Sequence, residues 1–156
     1  MRHIAIADEY HHSAGFPMLQ LTRLPDWDRR LARVTEKHLA MPGVWGASDC
    51  LQTDGEAVEA IIGANPFAEV AGRYKTEAGA ARLLRKRGFA NVEEALASLF
   101  AKMPRLMARR GDLAVVERNG QLCAGYICEY GAAVKTETGL TFVPQTEIRS
   151  AFRVGD

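Results

Sequence analysis

At 156 residues, with 47% hydrophobic and 25% charged residues, the chain has the make-up of one globular domain with a sizeable core. A formal net charge of +1 provides no global field that would draw nucleic acid or an anionic membrane surface. Three cysteines (Cys50, Cys123 and Cys128) are too few for a disulfide framework and lack paired zinc-site spacing, and no apolar run reaches the ~18 residues of a membrane span.

The N-terminal stretch, residues 1–24, reads as an extension or arm. Ile4 to Ala7 is too short for a secretory h-region, so synthesis in a reducing cytoplasm is the expectation. Residues 9–17 show no periodicity. His3, His11 and His12 suggest a metal, but adjacent histidines cannot share one face of a helix or strand, and no Cys or carboxylate cluster completes a ligand set. No metal and no cofactor is expected.

The domain proper is placed at residues 25–156. Asp26 is expected to cap a helix that carries Trp27, Leu31, Val34 and His38 at helical spacing. His38, in its last turn, reads first as a cation favouring the helix C-terminus and second as a candidate base. Met41-Pro42-Gly43-Val44 breaks this helix, and Trp45-Gly46-Ala47-Ser48-Asp49-Cys50 then delivers a cysteine to the start of the next. Ser48 or Asp49 supplies the cap, and Leu51, Val58, Ile61 and Ile62 fall on one face. A thiol in a first helical turn feels the positive end of the dipole, which lowers its pKa and favours thiolate. Cys50 is therefore the candidate nucleophile, against the plainer reading of a small packed side chain.

Gly63 closes the cysteine helix, and Phe67 to Ala71 suggests one further turn. Thr76 opens a helix that ends at Arg85-Lys86-Arg87-Gly88, whose cations suit a helix C-terminus. Asn91 caps another, expected over 92–102, with Pro104 ending it. The period then changes. Residues 112–118 and 121–129 are strand-like around Asn119-Gly120, the strongest short hairpin signal. Residues 132–136 and 140–143 form a second hairpin, 144–150 a helical turn, and 152–154 a closing strand. Arg110-Gly111-Asp112 reads as a turn at a strand entrance. Cys123 and Cys128, five apart in one strand, point to opposite faces and do not pair. Helices followed by a small antiparallel sheet make an α+β domain.

Trp45-Gly46-x-x-Asp49-Cys50, Gly72-Arg73-Tyr74 with Thr76 and Gly79-Ala80, Arg110-Gly111-Asp112-Leu113 and Ala151-Phe152-Arg153-Val154-Gly155 together resemble a small family encoded among the tail-assembly genes of phages and prophages. That family is similar to the NlpC-type cell-wall peptidases. The resemblance implies a papain-like domain in which Asp49-Cys50 opens the nucleophile helix and Gly111-Asp112-Leu113 starts the first long strand. It also implies a histidine near Cys123, ahead of Gly125-Tyr126-Ile127. No histidine follows His38, and neither Cys123 nor Lys135 replaces it as a base.

The expectation is thus a structural or assembly protein of a phage tail tip or baseplate, in the virion, on a papain-like scaffold with an incomplete dyad. Its partners would be other tail proteins such as a hub or distal tail protein. The alternative is an active cysteine amidase cutting peptidoglycan during DNA entry, with His38 or a partner-supplied group as base. A plain intracellular binding module is the third reading.

Overall fold

The computed structural model describes Phe16 and residues 22–156. The histidines at 3, 11 and 12 and most of the 1–24 arm lie outside the described residues. Four α-helices lead, among the described residues: α1 (Trp27–His38), α2 (Cys50–Ile62), α3 (Glu77–Lys86) and α4 (Val92–Leu99). Six strands follow: β1 (Lys102–Met103), β2 (Leu113–Arg118), β3 (Gln121–Cys128), β4 (Gly131–Lys135), β5 (Leu140–Val143) and β6 (Ser150–Phe152). They form one antiparallel sheet in the order β1-β6-β2-β3-β4-β5. The domain is α+β, with one-turn 3-10 segments at Ala68–Val70, Arg105–Met107 and Gln145–Glu147.

Local chemistry accounts for most boundaries. Asp49, Thr76 and Asn91 cap α2, α3 and α4, each accepting a backbone N–H from Gln52, Gly79 and Glu94 respectively. Glu94 returns a bond to the Ala90 N–H, in the manner of a capping box. Gly63 ends α2 in the left-handed region, with φ 85°. The Asn119-Gly120 hairpin has φ of 53° and 76°, so both residues take the positive values a two-residue turn needs.

Three expectations are corrected. Asp26 precedes α1 but caps nothing, because its carboxylate accepts from Arg30 instead. The fourth helix stops at Leu99 rather than Lys102: Phe100 turns extended and buries, and Lys102–Met103 pair with Phe152–Ala151. The cation at the end of α1 is Lys135, which donates to the carbonyls of Met41 at 2.7 Å and His38 at 3.4 Å. Burial lowers the Lys135 pKa, with the Glu56 charge opposing it.

The sheet separates two apolar layers. Leu113 and Val115 of β2, Ala124, Tyr126 and Cys128 of β3, and Phe152 join the helices in the larger core. Ala114, Val116, Ile127, Ala132 and Val134 form the smaller one with Ile148 and Ala108. Gln145 staples that second layer shut by donating to the carbonyls of Arg105 and Ala108. Cys123 packs on the second layer and Cys128 on the first, so the two thiols do lie on opposite faces.

Phe16, Arg23 and Leu24, from the arm, pack on this domain. Phe16 is buried edge-to-face on Phe67 at 5.0 Å and stacked on Phe89 at 5.9 Å. Leu24 donates its N–H to the Ile61 carbonyl. Arg23 reaches across the chain to the carbonyls of Val154 and Arg110 and to the Asp112 carboxylate.

Candidate functional site

The cysteine turn is built by side chains that satisfy its own backbone. The Asp49 carboxylate accepts from Gly46 N at 2.7 Å with one oxygen and from Gln52 N at 3.0 Å with the other. Ser48 accepts from Val44 N and donates to the Pro42 carbonyl. Gly46 sits at φ 84°, and a Cβ there would stand 2.1 Å from the Tyr74 carbonyl oxygen. No other residue fits that approach. Tyr74 itself is buried, with its hydroxyl accepting from Gln52 Nε2 at 3.3 Å. Gly72 donates its N–H to the Gly46 carbonyl. The Gly72-Arg73-Tyr74 segment is thus the wall against which the cysteine turn is folded, which explains why the two motifs belong together.

Cys50 is the first residue of α2, and α2 lies on β3 of the sheet, as expected. The residue is half-buried and borders two clefts, of about 410 and 660 Å³. The first is largely apolar and runs between Trp45, Tyr74, Leu84, Val92 and Leu122. The expected activation is absent. Burial pushes the Cys50 thiol far above its ordinary value, and Cys123, Asp49 and Asp54 add to the rise, against a hydrogen bond from the Ala124 backbone. Desolvation disfavours a thiolate, and the charge of the capping Asp49 carboxylate adds to that effect.

The strand facing Cys50 offers no base. Leu122 lines both clefts with Cys50, and Leu122 and Ala124 pack in the same core layer. Cys123, at the position implied for a histidine, packs on the opposite layer of the sheet, borders the 660 Å³ cleft with Cys50, and has its own thiol raised by burial. Lys135 is occupied at the end of α1.

His38 is engaged elsewhere. Its ring is fully buried, and Nε2 lies 2.8 Å from the Glu56 carboxylate. Glu56 follows Cys50 by six positions in α2, about 9 Å along the axis. No hydrogen bond joins His38 to Cys50 among the described residues. The His38 hydrogen bond, aided by Lys37 at 2.6 Å and opposed by burial, holds the Glu56 carboxyl down at about 2. His38 Nδ1 has no hydrogen-bond partner among the described residues.

Asp54 sits one turn beyond Cys50 on the same helix face. It is buried, its Oδ2 has no partner among the described residues, and burial with the Asp49 charge raises its pKa well above the carboxylate range. Sequence reasoning did not single out Asp54 or Glu56. An acidic residue inside an apolar helix face was the available signal for Asp54. Glu56 could be found only through its partners on α1.

At the entrance to β2 the Gly111-Asp112-Leu113 motif is likewise a folding device. Asp112 accepts from Arg23, from Val154 N at 3.1 Å and from Arg109 N at 2.8 Å. Arg23 and Asp112 are 3.0 Å apart with 11% and 3% of their side chains exposed. Arg23 also lies over the Trp27 ring at 4.4 Å. Asp112 therefore holds the turn, the upstream segment and the C-terminal segment together, and directs no polar atom at Cys50.

No helix among the described residues is long and apolar enough to cross a membrane. Residues 22–154 match the sequence model of the family described as Domain of unknown function (DUF6950), and the chain belongs to that family. No curated protein and no solved structure matches the chain.

Proposed function

We propose that the protein is a structural or assembly component of a phage tail tip or baseplate, built on a papain-like, NlpC-type scaffold that lacks a working dyad. The observation that carries the loss of catalysis is the setting of Cys50. It occupies the nucleophile's position in a sheet-packed helix, yet its thiol is held protonated by burial, and Leu122 and Ala124 face it. A cysteine nucleophile needs a base or a cationic partner to form the thiolate and then protonate the leaving amine. His38, committed to Glu56, supplies neither.

The tail context rests on the shared motifs around residues 45–50, 72–80, 110–113 and 151–155. In this reading the partners are tail proteins such as a hub or distal tail protein, and the protein resides in the virion. The test has two arms. Release of muropeptides from purified peptidoglycan should not differ between the wild type and Cys50→Ala, and the protein should be found by mass spectrometry in purified virions. Turnover abolished by Cys50→Ala would establish the amidase reading instead. Absence from particles would remove the tail assignment.

A further inference from the structure

A third cleft, of about 580 Å³, opens on the other side of the Tyr74 wall. Arg73, Lys75, Arg82, Lys86 and Arg87 line it, and no carboxylate does. Arg87 is paired with Glu69 at 2.5 Å. The other four are exposed, and their side chains make no hydrogen bond or ion pair among the described residues. In a chain whose net charge is +1, this is a marked local concentration of one sign.

The needs of the fold explain only part of it. Lys86, in the last turn of α3, complements the helix dipole. Arg73 and Lys75 precede the N-terminus of the same helix, where the dipole favours acids and disfavours cations. Arg82 and Lys86 stand four apart on one face, a like-charge pair that weakens a helix slightly. Arg73, Lys75 and the Arg82–Lys86 pairing are thus mildly unfavourable without an anion in the cleft and favourable with one.

We infer that this cleft is a docking site for an extended acidic segment of a partner protein. The cations come from two segments of the lining, Arg73 and Lys75 in the link before α3 and Arg82 and Lys86 four residues apart on α3, so the positive charge is spread over more than one stretch of chain. Arg82 and Lys86 are about 6 Å apart along the helix axis. Alternate residues of an extended peptide recur at about 6.6 Å on one side. Carboxylates at every second position therefore meet the cations in register. The floor is fixed, because Tyr74 is anchored by Gln52 and the Gly72 N–H by the Gly46 carbonyl. The inference goes beyond the tail-protein reading and does not rest on it: a cationic groove of this form binds such a segment in any assembly.

The test uses the full chain and a fluorescein-labelled peptide of alternating Glu and Ser, followed by fluorescence anisotropy. Saturable binding is expected, weakening by about tenfold between about 50 and 200 mM salt. An Arg73→Ala/Arg82→Ala/Lys86→Ala variant should lose at least about tenfold in affinity while its thermal midpoint stays put, since these side chains are exposed and unpaired. The same peptide with Gln for Glu should not bind. Lack of saturable binding, or equal binding by the triple variant, would overturn the inference. Tripolyphosphate binding more tightly than the peptide, through the same three residues, would replace the acidic segment with a phosphate-bearing ligand and so overturn it too.

Discussion

Asp49 and Asp112 do the same kind of work at two turns, and the chain puts different things after them. Each carboxylate gathers backbone N–H groups that would otherwise be buried without partners: Gly46 and Gln52 for Asp49, Arg109 and Val154 for Asp112. After Asp112 come the apolar residues of β2, and the aspartate also binds Arg23. After Asp49 comes a thiol at the edge of a cleft. Read as strings, one motif suggests a nucleophile and the other a strand entrance, and the hydrogen bonds of both aspartates serve the fold. Chemistry would need something more at Cys50, and the surroundings supply Leu122, Ala124 and the negative charge of Asp49.

The comparison can be broken by removing each carboxylate in turn. Asp112→Ala removes the Arg23 ion pair and the acceptor of two backbone N–H groups, one of them buried, and should cost about 3–5 kcal/mol in urea denaturation. Asp49→Ala removes a cap and one turn hydrogen bond and should cost about 1–2 kcal/mol. Equal costs at the two positions would contradict the view that Asp112 is the tertiary clamp and Asp49 the local one.

Two further carboxylates on α2 sharpen it through pH. Glu56 is held at about 2 by His38 and Lys37. Its stabilisation is present above its unfolded value near ~4.3 and is lost as the pH falls toward the folded one. Glu56→Gln should therefore cost about 2 kcal/mol at neutral pH and progressively less below about pH 4. Asp54 has the opposite sign. Its folded pKa lies above the unfolded value, so the folded state holds a proton that the unfolded state releases. Asp54 thus withdraws stability as pH rises past ~3.9. Asp54→Asn should be more stable than the wild type at pH 7, with the gain vanishing near pH 4. A gain that did not change with pH would show that the carboxyl is paired.

How much of this was legible from residues alone follows from the range of each interaction. Caps at Asp49, Thr76 and Asn91, the left-handed Gly63 and the Asn119-Gly120 hairpin act within four residues, and each was expected from the sequence. The α+β order followed from the change of period after Pro104. The clamp of Arg23 on Asp112, the reach of Lys135 to Met41 and the seat of His38 against Glu56 join distant segments, and no local pattern announces them. The end of α4 was missed because strand pairing with Ala151 and Phe152 overrode helix propensity at Lys102. At the candidate site the position of Cys50 was legible, since it depends on a cap. Its electrostatic state was not, since the desolvation that raises the thiol depends on tertiary packing.

Phe16→Ala tests the contribution of the upstream segment to the core. Loss of a fully buried ring from Phe67 and Phe89 should cost about 3 kcal/mol. A cost under about 1 kcal/mol would place the ring outside the cooperative fold.

The smallest effect on stability and the largest on the account belongs to Cys50. The direct measurement is the rate of its alkylation by iodoacetamide against pH, followed by peptide mass spectrometry so that Cys50 is separated from Cys123 and Cys128. A protonated, inactivated thiol predicts a slow reaction that still climbs beyond about pH 9, with no plateau. A plateau with its midpoint at or below about 8.5, the ordinary thiol value, would mean that thiolate forms readily at the start of α2 and would contradict the claim that this scaffold has no nucleophile.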